Sequence, residues 1–252
     1  MSRTLRSLAA PLFVLLAWEA TCRLAQVSPA LLPPPSQVAR KWIEYLRSGE
    51  LASDTFATLF RVVVGFAIGA GLALPLGLWM GAREKVYLVF NPLIQLLRPI
   101  PPIAFIPLSI LWFGLGNPPA FFLIALGAFF PILMNTIAGV RNVDAIYLRV
   151  AQNLGASSST LFRRVLLPGA MPSILAGLRI GVGVAFICVI VAEMIAVNNG
   201  LGYRILEARE YFWSDKIIAG MISIGILGLA IDTGMARLSD RLLRWHRGIA
   251  SA

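Results

Sequence analysis

Charged side chains are scarce in this chain. Asp, Glu, Lys and Arg make up 13% of its 252 residues, against 58% for hydrophobic ones. An ordinary soluble domain carries about 25% charge, so a water-soluble globule is excluded and a polytopic membrane protein is expected. Histidine is represented by His246 alone, with no cysteine or histidine at ligand spacing, which reads as a solvated or headgroup side chain and not as a metal site. The two cysteines, Cys22 and Cys188, sit in apolar contexts and read as unpaired thiols. Nothing matches G-x-x-x-x-G-K-[ST], so the chain has no phosphate-cradling loop with which to hydrolyse ATP. It also lacks a Ser/His/Asp or Cys/His set outside the apolar runs. A catalytic role is therefore not expected, nor a cofactor held by this chain, and the energy for any transport must come from elsewhere.

What is abundant is apolar sequence in long runs. A membrane-spanning helix needs roughly 20 mostly apolar residues, and six candidates emerge at about 8–26, 56–80, 99–116, 118–139, 171–197 and 217–236. The expected architecture is one all-α domain over residues 1–252, a transmembrane helical bundle of about six spans. With both termini inside, the cytoplasmic segments hold Arg3, Arg6, Arg83, Lys85, Arg98, Arg141, Arg149, Arg163, Arg164, Arg237, Arg241, Arg244 and Arg247, against Glu84, Asp144 and Asp240. In the outer segments Arg40, Lys41, Arg47, Arg204, Arg209 and Lys216 are matched one for one by Glu44, Glu50, Asp54, Glu207, Glu210 and Asp215. The positive-inside rule sets this orientation. The net charge of +10 is thus a matter of topology, and a nucleic-acid partner is not expected because the basic residues flank apolar spans and form no single soluble face. Arg3 and Arg6 precede an apolar run that Glu19 interrupts, which reads as an uncleaved first helix. Arg241, Arg244, Trp245 and Arg247 read as an interfacial helix end among lipid headgroups.

Six charges lie inside the expected spans: Glu19, Arg23, Arg61, Arg179, Glu193 and Asp232. An ionised group in hydrocarbon is costly unless paired or hydrated, so these are candidates for function. Arg61 and Glu193 fall in the outer part of their helices, and Arg179 and Asp232 in the inner part. Either couple can form a structural pair, or Arg61 or Arg179 attracts an anionic solute while Glu193 limits how tightly it is held. Glu19 and Arg23, four apart, form a local pair. Pro99, Pro101, Pro102 and Pro107 cannot belong to an undisturbed spanning helix. The segment containing Pro102 and Pro107 is therefore expected inside the bundle or along the transport route, with an interfacial helix start as the alternative for Pro99 to Pro102. Trp112 and Phe113 read as an aromatic belt. The pairs Gly65/Gly69, Gly77/Gly81 and Gly177/Gly181 have the small-xxx-small spacing of closely packed helices, within the chain or between copies. Residues 200–213 read as an amphipathic outer helix after a glycine turn: a gate, a docking surface or a linker.

The most distinctive stretch is polar. Tyr147, Leu148, Ala151 and Leu154 make one face of a short helix that Gly155 ends, and Leu161, Phe162, Val165 and Leu166 make a second apolar face before Pro168. The loop, about 141–169, is placed on the cytoplasmic side by its arginines, where a soluble partner can grip it. Gly155 followed by Pro168 within ALGAS…F…V.LPGA.P resembles the signature loop of the permease subunits of binding-protein-dependent ABC importers. LLPPPSQV, LRPIPPIAFIPLSILWFGLG, FFPILMNTIAGVRNVD and AEMIAVNNGLGY are similar to the sulfonate, taurine and nitrate permeases. That resemblance implies a type I importer-like fold in the bacterial inner membrane and a homodimer surrounded by lipid. It also implies two ATP-binding subunits, which would hold ATP and Mg, and a periplasmic solute-binding protein. It implies that Ala151, Gly155 and Ala156 allow close approach of the ATPase. Leu154, Leu161 and Phe162 would then supply apolar contact, and Pro168 would fix the return to the membrane. The usual Glu-Ala-Ala opening reads Arg149-Val150-Ala151 here, so the family's glutamate contact is not carried over. The implied cargo is a sulfonate such as taurine or an alkanesulfonate, with nitrate, bicarbonate or a vitamin precursor as alternatives. An ion-coupled secondary transporter is the alternative of another class; it would show carboxylates in several helices and an internal repeat.

Overall fold

The computed structural model describes residues 3–244, with side chains from residue 9 onward, so the expectations for Arg3, Arg6, Trp245, His246 and Arg247 lie outside the described side chains. Its helices are α1 (Arg3–Leu24), α2 (Pro35–Arg47), α3 (Glu50–Ala82), α4 (Glu84–Leu97), α5 (Ile106–Phe113), α6 (Asn117–Arg141), α7 (Ala145–Asn153), α8 (Ser158–Leu161), α9 (Leu167–Ile195), α10 (Leu201–Glu210) and α11 (Ser214–Leu242).

Among the described residues, Glu50–Ala82, Asn117–Arg141, Ser158–Ile195 and Ser214–Leu242 are long and apolar enough to cross a membrane. A fifth crossing is available if Glu84–Leu97 and Pro102–Phe113, bent by 82°, count as one. Four or five crossings stand against the six expected: the run at 8–26 forms α1 but is not among them, and the expected span at 99–116 is corrected. The crossing element there starts fifteen residues earlier and is broken in its middle, because Pro99, Pro101 and Pro102 bring no backbone N–H to continue α4. Arg98, assigned above to a cytoplasmic loop, stands in that break as the C-cap of α4. Pro107 lies in the first turn of α5, where a missing N–H costs nothing, and is exposed.

The bundle is built on α3, α6 and α9, and glycines set how close these helices come. A methyl group added at Gly65, Gly77 or Gly81 of α3 would stand 2.6, 2.7 or 2.6 Å from Cβ of Ile124, Thr136 or Val140. The constant offset of these pairs makes α3 and α6 parallel. On the other side of α6, Gly177 and Gly181 of α9 meet Asn135 and Ile132 at 2.6 and 2.8 Å, and here the order is reversed. All three small-xxx-small pairs therefore serve packing within the chain. Met80, Ile124, Ile132, Leu133 and Val189 fill the core between them. Because α3 and α6 are parallel, the broken α4–α5 pair has to carry the chain back from one end of the bundle to the other.

Candidate functional site

Two ends of the bundle and one groove between them gather the polar groups. At the end where α3 begins, Asp54, Thr58 and Arg61 occupy one face of α3 and are all buried. Arg61 makes four hydrogen bonds. Its Nε donates to Asn117 Oδ1 at 2.8 Å, its Nη1 to Glu193 Oε1 at 2.6 Å and to the Asn199 carbonyl at 3.0 Å, and its Nη2 to Asn199 Oδ1. Glu193, wholly buried, also accepts from the Thr58 hydroxyl at 2.9 Å and from the Gly202 N–H at 3.0 Å. Asp54 accepts from the Tyr45 hydroxyl at 2.6 Å, the Gly200 N–H at 2.9 Å and Arg204 Nε at 2.7 Å. Gly200 has a φ of 105°, and any side chain there would run into the Glu193 carboxylate, so glycine is required on both counts. Burial, reinforced by the hydrogen bond to Asp54, pushes the Tyr45 phenol well above its usual range and keeps it a donor. The cluster thus ties α2, α3, α6, α9 and α10 together. Arg61 and Glu193 are paired as the spacing anticipates, but their donors and acceptors are taken up by protein partners. Asp54 and Arg204, counted from sequence among the balanced charges of the outer segments, are also part of the cluster. The signal for Asp54 was present: with Thr58 and Arg61 it follows an i, i+4, i+7 pattern at the head of a long apolar run.

Arg179 and Asp232 also pair, through two hydrogen bonds of 2.8 and 2.7 Å between α9 and α11. Both side chains are half-exposed, and Arg179 is turned toward α11. Glu19 and Arg23 form the local pair, at 2.7 Å.

A groove of about 390 Å³ runs along the middle of α6 and α9. Gly127, Phe130, Met134 and Asn135 of α6 and Val184 of α9 line it, and Arg98, Ile100 and Pro102 of the broken segment form its edge. Pro102 therefore faces the groove, whereas Pro107, Arg61, Arg179 and Glu193 do not line it. Trp112 and Phe113 pack on Phe122 of α6, with ring centroids 5.8 and 5.6 Å away.

At the opposite end, Asp144 caps α7 by accepting from the Ile146 N–H at 2.9 Å, and Ser157 caps α8 through the Thr160 N–H at 3.3 Å. Gly155, with φ of 78°, turns the corner between them. The exposed apolar face of α7 is Ile146, Tyr147, Val150 and Leu154, while Leu148 and Ala151 are half-buried, a rotation from the expected face. Arg149 is exposed and Ala156, Leu161, Phe162 and Pro168 are half-buried. The second helix is not a separate one. α8 runs through a widened π turn at Phe162–Leu166 into α9. Pro168 follows that turn; it cannot donate to the Arg164 carbonyl and its ring crowds it, which the wider turn relieves. Arg141 anchors the loop's start, bonded to Glu84 at 2.6 Å with its guanidinium 4.1 Å from the centre of the Tyr87 ring.

The family described as binding-protein-dependent transport system inner membrane component matches residues 73–245, which takes in the groove and the whole loop. The chain belongs to that family. The permease is 37% identical to the taurine transport system permease protein TauC of Escherichia coli (strain K12) over 238 residues, 92% of this chain and 86% of that one. It is 36% identical to the nitrate import permease protein NrtB of Synechocystis sp. over 190 residues, 75% of this chain and 69% of that one. In fold it resembles a chain of the MetNI methionine ABC transporter in inward-facing conformations, with a TM-score of 0.67 at 19% identity, covering 76% of this chain and 95% of that one. The protein is an ABC importer permease subunit, all-helical and multi-pass, of the inner membrane type.

Proposed function

We propose that this permease moves a small anion, in the first place a sulfonate such as taurine or an alkanesulfonate, into a bacterial cell as a homodimer driven by two separate ATP-binding subunits. The α7–α8 loop carries the reading of the drive. It presents Ile146, Tyr147, Val150 and Leu154 to solvent, turns at Gly155, and runs without a break into α9. An ATPase seated on Arg149, Ala151, Leu154, Gly155 and Ala156, with Leu161, Phe162 and Pro168 behind them, would move α9 as a lever. ATP and Mg belong to that partner, and α9 would pass its motion through the glycine contacts to α6 and α3. A periplasmic binding protein would deliver solute at the α2 and α10 end. With α1 as a sixth crossing, the loop and both termini then face the cytoplasm, as the arginine distribution requires. The likeness to TauC supports a sulfonate as cargo, and the likeness to NrtB favours nitrate as the second reading.

Detergent purification of the tagged permease from its native membrane, with mass spectrometry and an ATPase assay of the eluate, tests this. An ATP-binding protein in equal amount is expected, lost with Gly155→Glu and kept with Gly155→Asn. Asparagine accepts the left-handed backbone, and within the chain nothing stands within 4 Å of an added Cβ, so with Gly155→Gln as the control that shares glutamate's backbone strain without its charge, a loss confined to glutamate would report the partner. Recovery of the chain alone, with ion-driven uptake in vesicles lacking an ATPase, would replace the reading with a secondary transporter.

A further inference from the structure

Resting on the importer reading above, we propose that Arg98 is the cation that meets the anionic solute halfway across the membrane, with Asn135 across the same groove as a second polar contact. The depth follows from two contacts. Arg141, the last residue of α6, is bonded to Glu84, the first of α4, so α4 starts at the level where α6 ends, at the loop end. α4 has 14 residues and rises about 21 Å along its axis before reaching Arg98. The groove that Arg98 edges is lined by α6 from Leu126 to Asn135, around the centre of a helix that runs from Asn117 to Arg141.

An arginine at that depth demands a reason. Unlike Arg61, Arg179 and Arg204, Arg98 is in none of the ion pairs found among the described residues, and its side chain is exposed. A guanidinium held in hydrocarbon without a counter-charge is strongly disfavoured, so the groove has to admit water or an anion. The backbone says the same independently. Pro99, Pro101 and Pro102 withhold three donors from the carbonyls of the preceding turn, and such irregular backbone survives at membrane depth where it lines a water-filled cavity. The Asn135 amide nitrogen donates to the Pro131 carbonyl at 2.8 Å, which orients the side chain at the groove wall. A planar guanidinium with donors to spare suits the oxygens of a sulfonate or a nitrate equally.

The test uses the whole transporter in inverted and right-side-out membrane vesicles. Arg98→Cys is treated with sulfonatoethyl methanethiosulfonate, a water-borne anion; Cys22 and Cys188 are buried, so the unsubstituted chain gives the background. Rapid modification, slowed by taurine or nitrate, is expected. Uptake of labelled taurine, or of nitrate if taurine is not carried, is expected to fall about tenfold or more in Arg98→Gln and to recover largely in Arg98→Lys, as for loss and return of a charged hydrogen bond. Recovery of the ATP-binding subunit should be unchanged in all three variants. An unreactive thiol, or full uptake by Arg98→Gln, would overturn the proposal. If the wild type carries neither anion, the sulfonate and nitrate readings fail, while modification of the Arg98→Cys thiol still decides whether the residue lines an aqueous path.

Discussion

Arg61 and Glu193 lie 132 positions apart in the sequence and meet at 2.6 Å, each buried and each holding further partners. Breaking a pair of this kind leaves one charge stranded, and Glu193→Ala is expected to cost about 3–5 kcal/mol. The measurement is the unfolding midpoint of the purified permease in detergent, where Arg61→Met combined with Glu193→Leu should regain part of the loss, the Gly202 N–H and the Asn199 carbonyl still lacking their partners. Tyr45 supplies a pH signature for the same cluster. Its pKa is raised in the fold, so its contribution is complete below the ordinary tyrosine value of 10.0 and is lost as pH climbs above that. Unfolding midpoints above pH 10 should therefore fall more steeply in the wild type than in Tyr45→Phe. Individual charges were legible as candidates from their apolar surroundings, and both intramembrane couples pair as their depths imply. Which neighbours hold a pair was not legible, because Asn117 and Asn199 reach Arg61 from turns 56 and 138 positions away.

Among the elements, the long runs declared their helices and the proline cluster declared a break, but not its place. α4 carries Glu84 and Lys85 at one end and Arg98 at the other, which reads as a loop; Ile94 anchors it on the core, and it is together with Pro102–Phe113 that it becomes long and apolar enough to cross. The glycines can be tested at this scale. A Cβ at Gly69 would come within 2.5 Å of the Ala125 carbonyl oxygen, which is backbone and cannot swing away, whereas at Gly71 it meets nothing within 4 Å. Gly69→Val is expected to force α3 from α6 and cost about 1–3 kcal/mol or more. Gly71→Val, two residues on, should leave the midpoint within about 0.5 kcal/mol. Equal effects of the two would mean that the α3–α6 contact is not what holds the bundle.

The parallel course of α3 and α6 constrains the whole molecule. If α4–α5 returns the chain across the membrane, the α7–α8 loop and the α2–α10 cluster lie on opposite faces. Ser158→Cys should then react with an impermeant maleimide from the cytoplasmic side, and Glu44→Cys from the other, in vesicles of known orientation. Reaction of both from one side would refute the crossing. Class, approximate spans, loop and family were readable from composition, runs of hydropathy and motif, since each depends on residues near one another along the chain. The fit of three helices glycine to residue, the partners of Arg61 and Glu193, and the place of Arg98 at the edge of the α6–α9 groove were not. Those depend on which surfaces meet after the chain has folded back on itself, and apolar periodicity says that a face is buried without saying against what.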